Sequence, residues 1–289
     1  MLELRLRLPS PLQELEDERL TQRGVQLLLK RDDLIHPELT GNKWRKLKYN
    51  LAAAQARGAS ALLTFGGAYS NHIRATAAAG FYFGLDTVGV VRGEEHLPLN
   101  PTLAYAVEHG MRLKYLDRGT YRHKTDPMLL GRLREEFGDF YLLPEGGSNS
   151  LALEGCAELP AEITVPFDVI CCACGTGGTL AGIATALRPG QHAIGISALK
   201  GGGFIADDVR TLQAAYGRQT DNWSIETDFH FGGFARRTPE LDAFIDDFRA
   251  RHGLLLEWIY VAKMLAGLFT LVERGTFASG TVIVAVITG

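Results

Sequence analysis

Apolar residues follow two rhythms along this chain. Short apolar runs, "ALLTF" at 61–65, "TVGVV" at 87–91, "RLKYL" at 112–116, "FYLL" at 140–143, "DVICCAC" at 168–174, "HAIGIS" at 192–197 and "TVIVAVI" at 281–287, read as strands. Between them lie "NHIRATAAAGFYFG", "NPTLAYAVEHG", "PMLLGRLREEFG", "GGTLAGIATALR" and "RTPELDAFIDDFRARHG", each with a spacing that predicts a helix. The alternation predicts an α/β fold of mostly parallel sheets flanked by helices on both faces. No internal repeat or low-complexity segment breaks it.

Two further helices carry polar groups worth locating. In "LTGNKWRKLKYNL", Trp44, Leu47, Leu51 and Ala54 recur at helical spacing, with Thr40 or Asn42 as the cap. Lys43 then falls in the first turn, where the partial positive charge of the helix N-terminus disfavours a cation. In "EWIYVAKMLAGL", Val261, Leu265, Leu268 and Val272 share one face behind Tyr260, and Lys263 reads as a solvated charge.

Glycine collects after the strands, in "FGGAYSN", "PEGGSN", "CGTGGT", "LKGGG" and "FGGF". Ligands of open α/β sheets bind outside the carboxyl ends of strands, so these loops point toward a site. "CGTGGTLAG" follows a strand and opens a helix, and its amides with the Thr176 and Thr179 hydroxyls can cradle a phosphate. Gly177 or Gly178 would permit the close backbone approach, with positive φ where needed. The segment lacks the third glycine of a dinucleotide fingerprint and the closing Gly-Lys-Ser/Thr of a P-loop. "GGAYSNHIRATAAAG" puts Ser70 and Asn71 at a helix entrance, where either can cap; His72 reads equally as a surface residue.

Length and composition narrow the rest. With 289 residues, 46% hydrophobic and 22% charged, the chain has material for one large domain or two lobes. A net charge of -3 without a basic stripe points away from nucleic acid, and no apolar stretch reaches the ~18 residues of a membrane span. "MLELRLRLPSPLQ" does not read as a signal peptide, which makes the cytoplasm the expected compartment. Cys171, Cys172 and Cys174 sit in an apolar run with no second cluster to complete a zinc site, so no metal is expected. The expected partner is a small molecule.

Taken together, "LTGNKWRKLKYN", "TFGGAYSNHIRATAAAG", "LPEGGSN", "CGTGGTLAG", "ALKGGGF" and "IYVAKMLAGL" resemble, in order and over nearly the whole chain, the aminocyclopropanecarboxylate deaminase and D-cysteine desulfhydrase family. That family is part of the tryptophan-synthase-β-like group of pyridoxal phosphate enzymes. The resemblance implies a two-lobed fold, with residues 46–148 as a small domain and residues 1–45 and 149–289 as the large cofactor-binding domain. It implies that Lys43 carries pyridoxal phosphate covalently, that Asn71 bonds the cofactor's phenolate oxygen, and that Gly175, Thr176, Gly177, Gly178 and Thr179 bind its phosphate. Ser70 would hold the substrate carboxylate and Tyr260 would act in catalysis. A homodimer and a small amino-acid substrate follow from the same likeness.

The implied reaction is β-elimination from a D-cysteine-like substrate to a 2-oxo acid, ammonia and sulfide. Opening of aminocyclopropanecarboxylate ranks below it, and a cofactor-binding protein with little or no catalysis and a β-replacement synthase are the remaining alternatives. Val261 stands where the family has a hydrogen-bonding Glu or Thr facing the pyridine nitrogen, and Phe234 where it often has a second tyrosine. Ile287 stands in place of a histidine, and the sequence ends at "AVITG", a short chain or a truncated one.

Overall fold

The computed structural model describes residues 4–39 and 41–288. Its strands are β1 Leu12–Leu15, β2 Gln26–Arg31, β3 Ala61–Gly66, β4 Asp86–Arg92, β5 Met111–Leu116, β6 Tyr141–Leu143, β7 Val169–Cys174, β8 His192–Ser197, β9 Trp223–Glu226 and β10 Val282–Ile287. Its helices are α1 Glu18–Thr21, α2 Asn42–Ala56, α3 Asn71–Phe83, α4 Pro101–Glu108, α5 Arg118–Arg122, α6 Pro127–Phe137, α7 Ser150–Ala157, α8 Gly178–Ala186, α9 Ile205–Tyr216, α10 Pro239–His252 and α11 Val261–Glu273.

The strands form two sheets, of order β1-β2-β10-β7-β8-β9 and β5-β4-β3-β6. All pairings are parallel except that of β1 with β2, an antiparallel edge on an otherwise parallel sheet. On the larger sheet, α10 and α11 bury Phe248, Leu265 and Phe269 against one face. On the other, α8 and α9 bury Leu180, Ile183 and Val209. The smaller sheet is covered by α2 and α3 through Leu47, Leu51 and Ala78, and on its opposite face by α6 through Leu133. Strands buried on both faces have no polar face, which is why β3, β7 and β10 are continuous apolar runs in the sequence.

Helix starts follow local chemistry. Asn100, Asp126 and Thr238 each cap a helix whose first residue is proline, with the side chain accepting a backbone N–H and the proline ring presetting φ. Ser70 caps α3 by accepting from the Ile73 N–H at 3.2 Å. The start of α2 departs from expectation. Its cap is Gly41, with no side-chain hydrogen bond, and Asn42 is the first helical residue; Thr40 lies outside the described residues. Gly41 has φ 59° and ψ -142°, and a Cβ there would fall 1.6 Å from the Thr288 carbonyl oxygen, so only glycine fits. The three clustered cysteines and Cys156 are buried free thiols.

Candidate active site

The C-terminal ends of β10 and β7, neighbours in the larger sheet, and the loops after β3 and β6 of the smaller one border a common space. Between them lies a narrow cleft. It is lined by Asn42, Lys43 and Lys46 of α2, by Ser70, Asn71 and His72 at the start of α3, by Gly146, by the run Ala173 to Thr179, and by Tyr260 and Thr288. Every residue that the sequence marked for cofactor or substrate therefore meets in one place.

The turn after β7 and the N-terminus of α8 form one wall. Gly177 has φ 70°, the left-handed region, and a Cβ on it would lie 2.7 Å from Val209 Cγ2, against the α9 core. Gly178 is the glycine that borders the polar side: a Cβ there would meet Ser148 Oγ at 2.4 Å and Lys46 Nζ at 3.2 Å. Ser148 Oγ and Thr176 Oγ1 are 2.7 Å apart, and the Asn42 amide donates to Thr179 Oγ1 at 2.6 Å. A Cβ at Gly178 would thus intrude on the polar side of the wall, and one at Gly177 on the α9 core.

Lys46 was not singled out in the sequence, although its i+3 spacing from Lys43 sets both amines on one helix face. It is buried and donates to the Gly146 carbonyl and to Ser148 Oγ, both at 3.0 Å. Among the described residues no carboxylate pairs with it. Burial pushes its amine below the usual lysine range. A buried ammonium with only neutral partners, beside a helix N-terminus and two hydroxyls, has the chemistry that binds an anion.

Lys43 is half-buried at the cleft floor. Burial, followed by repulsion from Lys46, pulls its amine down to about 7. His72 is not the surface residue that its sequence allowed. It is 2% exposed and neither ring nitrogen has a hydrogen-bond partner. Burial and the charges of Lys43 and Lys46 keep its imidazole neutral, well below the ordinary histidine range. Tyr260 lies over Gly175, its hydroxyl 3.3 Å from where a Cβ would stand. Glu257 fixes this corner by accepting the N–H groups of Ile259 at 2.6 Å and Tyr260 at 2.8 Å.

One expectation for α11 needs correction. Lys263 is no solvated charge: it is 1% exposed and donates to the Gly233 carbonyl at 2.6 Å, tying α11 to the loop that carries Phe234. Burial brings its amine down to about 8. Val261 is not among the cleft-lining residues; it is fully buried in the core behind the cleft, whereas Thr288 reaches the wall.

The donor set fits pyridoxal phosphate: an amine partly neutral near pH 7 for its aldehyde, and an uncompensated cation with amides and hydroxyls for its phosphate. Comparison with known proteins agrees. The profile of the pyridoxal-phosphate dependent enzymes matches residues 4–289. The chain is 30% identical over 277 residues to the mitochondrial bifunctional D-cysteine desulfhydrase/1-aminocyclopropane-1-carboxylate deaminase of Arabidopsis thaliana, covering 87% of this chain and 68% of that protein. It is 28% identical over 301 residues to the D-cysteine desulfhydrase of Klebsiella pneumoniae, covering 97% and 91%. A crystal structure of an ACC deaminase homologue superposes with a TM-score of 0.85 at 27% identity, covering 99% of this chain and 90% of that one. With the profile spanning both sheets and every loop of the cleft, the chain belongs to the pyridoxal-phosphate dependent enzymes.

Proposed function

We propose that this enzyme is a lyase acting on a small amino acid, of the D-cysteine desulfhydrase kind, converting substrate and water to a 2-oxo acid, ammonia and sulfide. The observation that carries the reading is the pair Lys43 and Lys46 on one helix face, one amine made reactive and the other buried with only neutral partners. When bound, pyridoxal phosphate supplies an electron sink for the carbon that loses its proton. Lys43 would hold the cofactor covalently, and its amine would take the substrate's α-proton. Lys46, Thr176, Thr179, Gly175, Gly177 and Gly178 would hold the phosphate, and Asn71 would bond the cofactor's phenolate oxygen. Ser70 keeps its O–H free to donate while its oxygen accepts the Ile73 N–H, so the substrate carboxylate sits at the N-terminus of α3. Tyr260, over Gly175, would act in catalysis.

Residues 46–148 as the small domain belong to the same reading, supported by the strand order, because β3 to β6 make up the smaller sheet. A homodimer in the cytoplasm completes it. No helix of the described residues is long and apolar enough to cross a membrane. The direct test is incubation of the holoenzyme with D-cysteine, L-cysteine and aminocyclopropanecarboxylate. Equal release of sulfide, ammonia and 2-oxo acid from D-cysteine, faster than from the others, is the expected outcome; cofactor retention without any product would leave a binding protein.

Two further results are expected here. Cofactor uptake by the cofactor-free protein, followed by absorbance, should accelerate as pH rises through about 7 and then level off, because the Lys43 amine is lowered to about 7. An increase continuing toward pH 10 would mean an ordinary, solvated lysine. Gly178→Val should weaken cofactor retention by about tenfold or more, since the new side chain displaces Ser148 and Lys46 and removes a charge-assisted hydrogen bond. Gly177→Val should chiefly destabilise the fold, through Val209 and Ile205.

A further inference from the structure

Beside the cleft opens a second recess, lined by Arg92, Arg118, Arg122 and Lys124, with Glu145 as the only acid on its wall among the described residues. Three segments separate it from the cleft by a single layer of chain. Gly67 to Tyr69 face the recess while Ser70 to His72 face the cleft; Glu145 faces the recess and Gly146 the cleft. Phe234 faces the recess and stands 6.0 Å, ring centre to ring centre, from Tyr260 in the cleft. At this junction the Arg92 guanidinium lies 3.8 Å, and the Phe234 ring 3.9 Å, from where a Cβ on Gly67 would be.

The charges of the recess do not cancel. Glu145 is already engaged, accepting the Tyr121 hydroxyl at 3.0 Å and pairing with Lys124 at 3.2 Å. Asp117, next to Arg118 in sequence, uses its carboxylate to cap α5 through Gly119 and Thr120. Arg92 rests against the Tyr121 ring at 5.9 Å, and among the described residues no carboxylate pairs with Arg92, Arg118 or Arg122. Three guanidiniums without a carboxylate partner thus line the recess, and Arg92 stands at its junction with the cleft beside Gly67.

We propose that this recess is a subsite for a tetrahedral oxyanion on the substrate's β-carbon, so that the enzyme also takes phosphate or sulfate esters of serine. The proposal rests on the lyase reading above. Guanidinium forks match the oxygens of phosphate and sulfate, and such charge-assisted bonds are the strong ones. For O-phosphoserine the Cα–H bond breaks with its proton going to the Lys43 amine and its electron pair becoming a Cα–Cβ double bond. The Cβ–O bond breaks and its pair leaves on phosphate. One water then replaces the nitrogen, giving a 2-oxo acid, ammonia and phosphate with no change of oxidation state overall.

The test compares the holoenzyme with an Arg92→Gln and an Arg118→Gln/Arg122→Gln variant on O-phospho-D-serine, O-phospho-L-serine and O-sulfo-D-serine, with β-chloro-D-alanine as the uncharged control. Loss of one charge-assisted contact should lower kcat/KM for the esters by about tenfold, chiefly through KM, while the control changes by less than about twofold. Titration calorimetry of O-phospho-D-serine on the same proteins should show the same loss of affinity, and the wild-type affinity should fall as salt is raised. Equal losses on esters and control, or ester binding no tighter than that of D-serine, overturns the subsite. Failure of the wild type on β-chloro-D-alanine overturns the lyase reading instead, and calorimetry still decides whether the arginines bind the ester. Preference between phosphate and sulfate identifies which oxyanion the recess serves.

Discussion

Lys43→Ala is expected to remove turnover almost completely while leaving a folded protein that still binds its cofactor loosely. The amine has two tasks, and alanine performs neither. Loss of a positioned proton acceptor alone costs about 10²–10⁴-fold in rate, and loss of covalent attachment adds to it. Borohydride treatment of the wild type should fix the cofactor to the peptide containing Lys43, and the variant should retain only cofactor that dialysis removes. The phosphate wall is untouched by the substitution, since Lys46, Ser148 and Thr176 make their contacts without Lys43. Labelling at Lys46 in the wild type, or turnover within tenfold of it in the variant, would reassign the attachment point.

The same substitution carries a stability signature whose sign is fixed by the amine's depressed titration. Lys43 titrates at about 7 in the folded chain, below the ordinary lysine value, so between those two pH values the unfolded chain binds more protons. The cofactor-free wild type therefore gains stability as pH rises from about 7 toward the ordinary lysine range. Alanine removes the penalty of a buried charge. The variant should be the more stable of the two below pH 7, with the advantage fading as pH rises, a comparison that denaturant titrations at pH 6 and pH 9 would make.

How far the sequence discloses this molecule depends on whether a feature is local. β3, β4, β7, β8 and β10 stand out because burial on both faces writes them as apolar runs. β2 is buried just as deeply, but it contains Lys30, which is charged and wholly enclosed, and an isolated "QLLLKR" has no period that separates strand from helix. β1 and β9 are four-residue edge strands, too short to show alternation. Among the site residues, the phosphate turn is legible because glycine and threonine after a strand act through their own backbone. Lys46 and His72 are not, because what marks them is a missing partner, and a missing partner exists only in three dimensions. Thr288, just past the end of β10, lines the wall for the same reason: only the fold brings it to the cleft.

The anchor of the lysine helix is a buried ionic cluster, and Arg45→Met should expose how much depends on it. Arg45 is 1% exposed and forms paired hydrogen bonds to Asp32, at 2.7 and 2.8 Å, and to Glu162, at 2.8 and 2.9 Å. Lys30 donates to Glu162 at 2.8 Å, and the Ser10 hydroxyl to Asp32 at 2.6 Å. Burial raises the Glu162 carboxyl, but the hydrogen bonds and charges of Arg45 and Lys30 outweigh it and hold the group at about 2. Methionine fills much of the arginine's volume yet leaves Asp32, wholly buried, facing a second carboxylate without the cation between them. Breaking a buried pair from one side costs about 3–5 kcal/mol, so chemical denaturation at pH 7 should show a loss of that size. Asp32→Leu combined with Arg45→Met should recover part of it, because the stranded charge goes too. Acid dependence supplies the second reading. Glu162 stabilises the wild type fully above the ordinary carboxylate range, and that contribution disappears as pH falls toward 2, so the wild-type loss over this interval should shrink in Arg45→Met. Since the cluster pins the first turns of α2, which carry Lys43 and Lys46, to the end of β2, the surviving folded variant should also hold its cofactor less tightly. A loss below about 1 kcal/mol would mean that the carboxylates find other partners and that Leu47, Leu51 and Ala54 alone suffice to hold the helix.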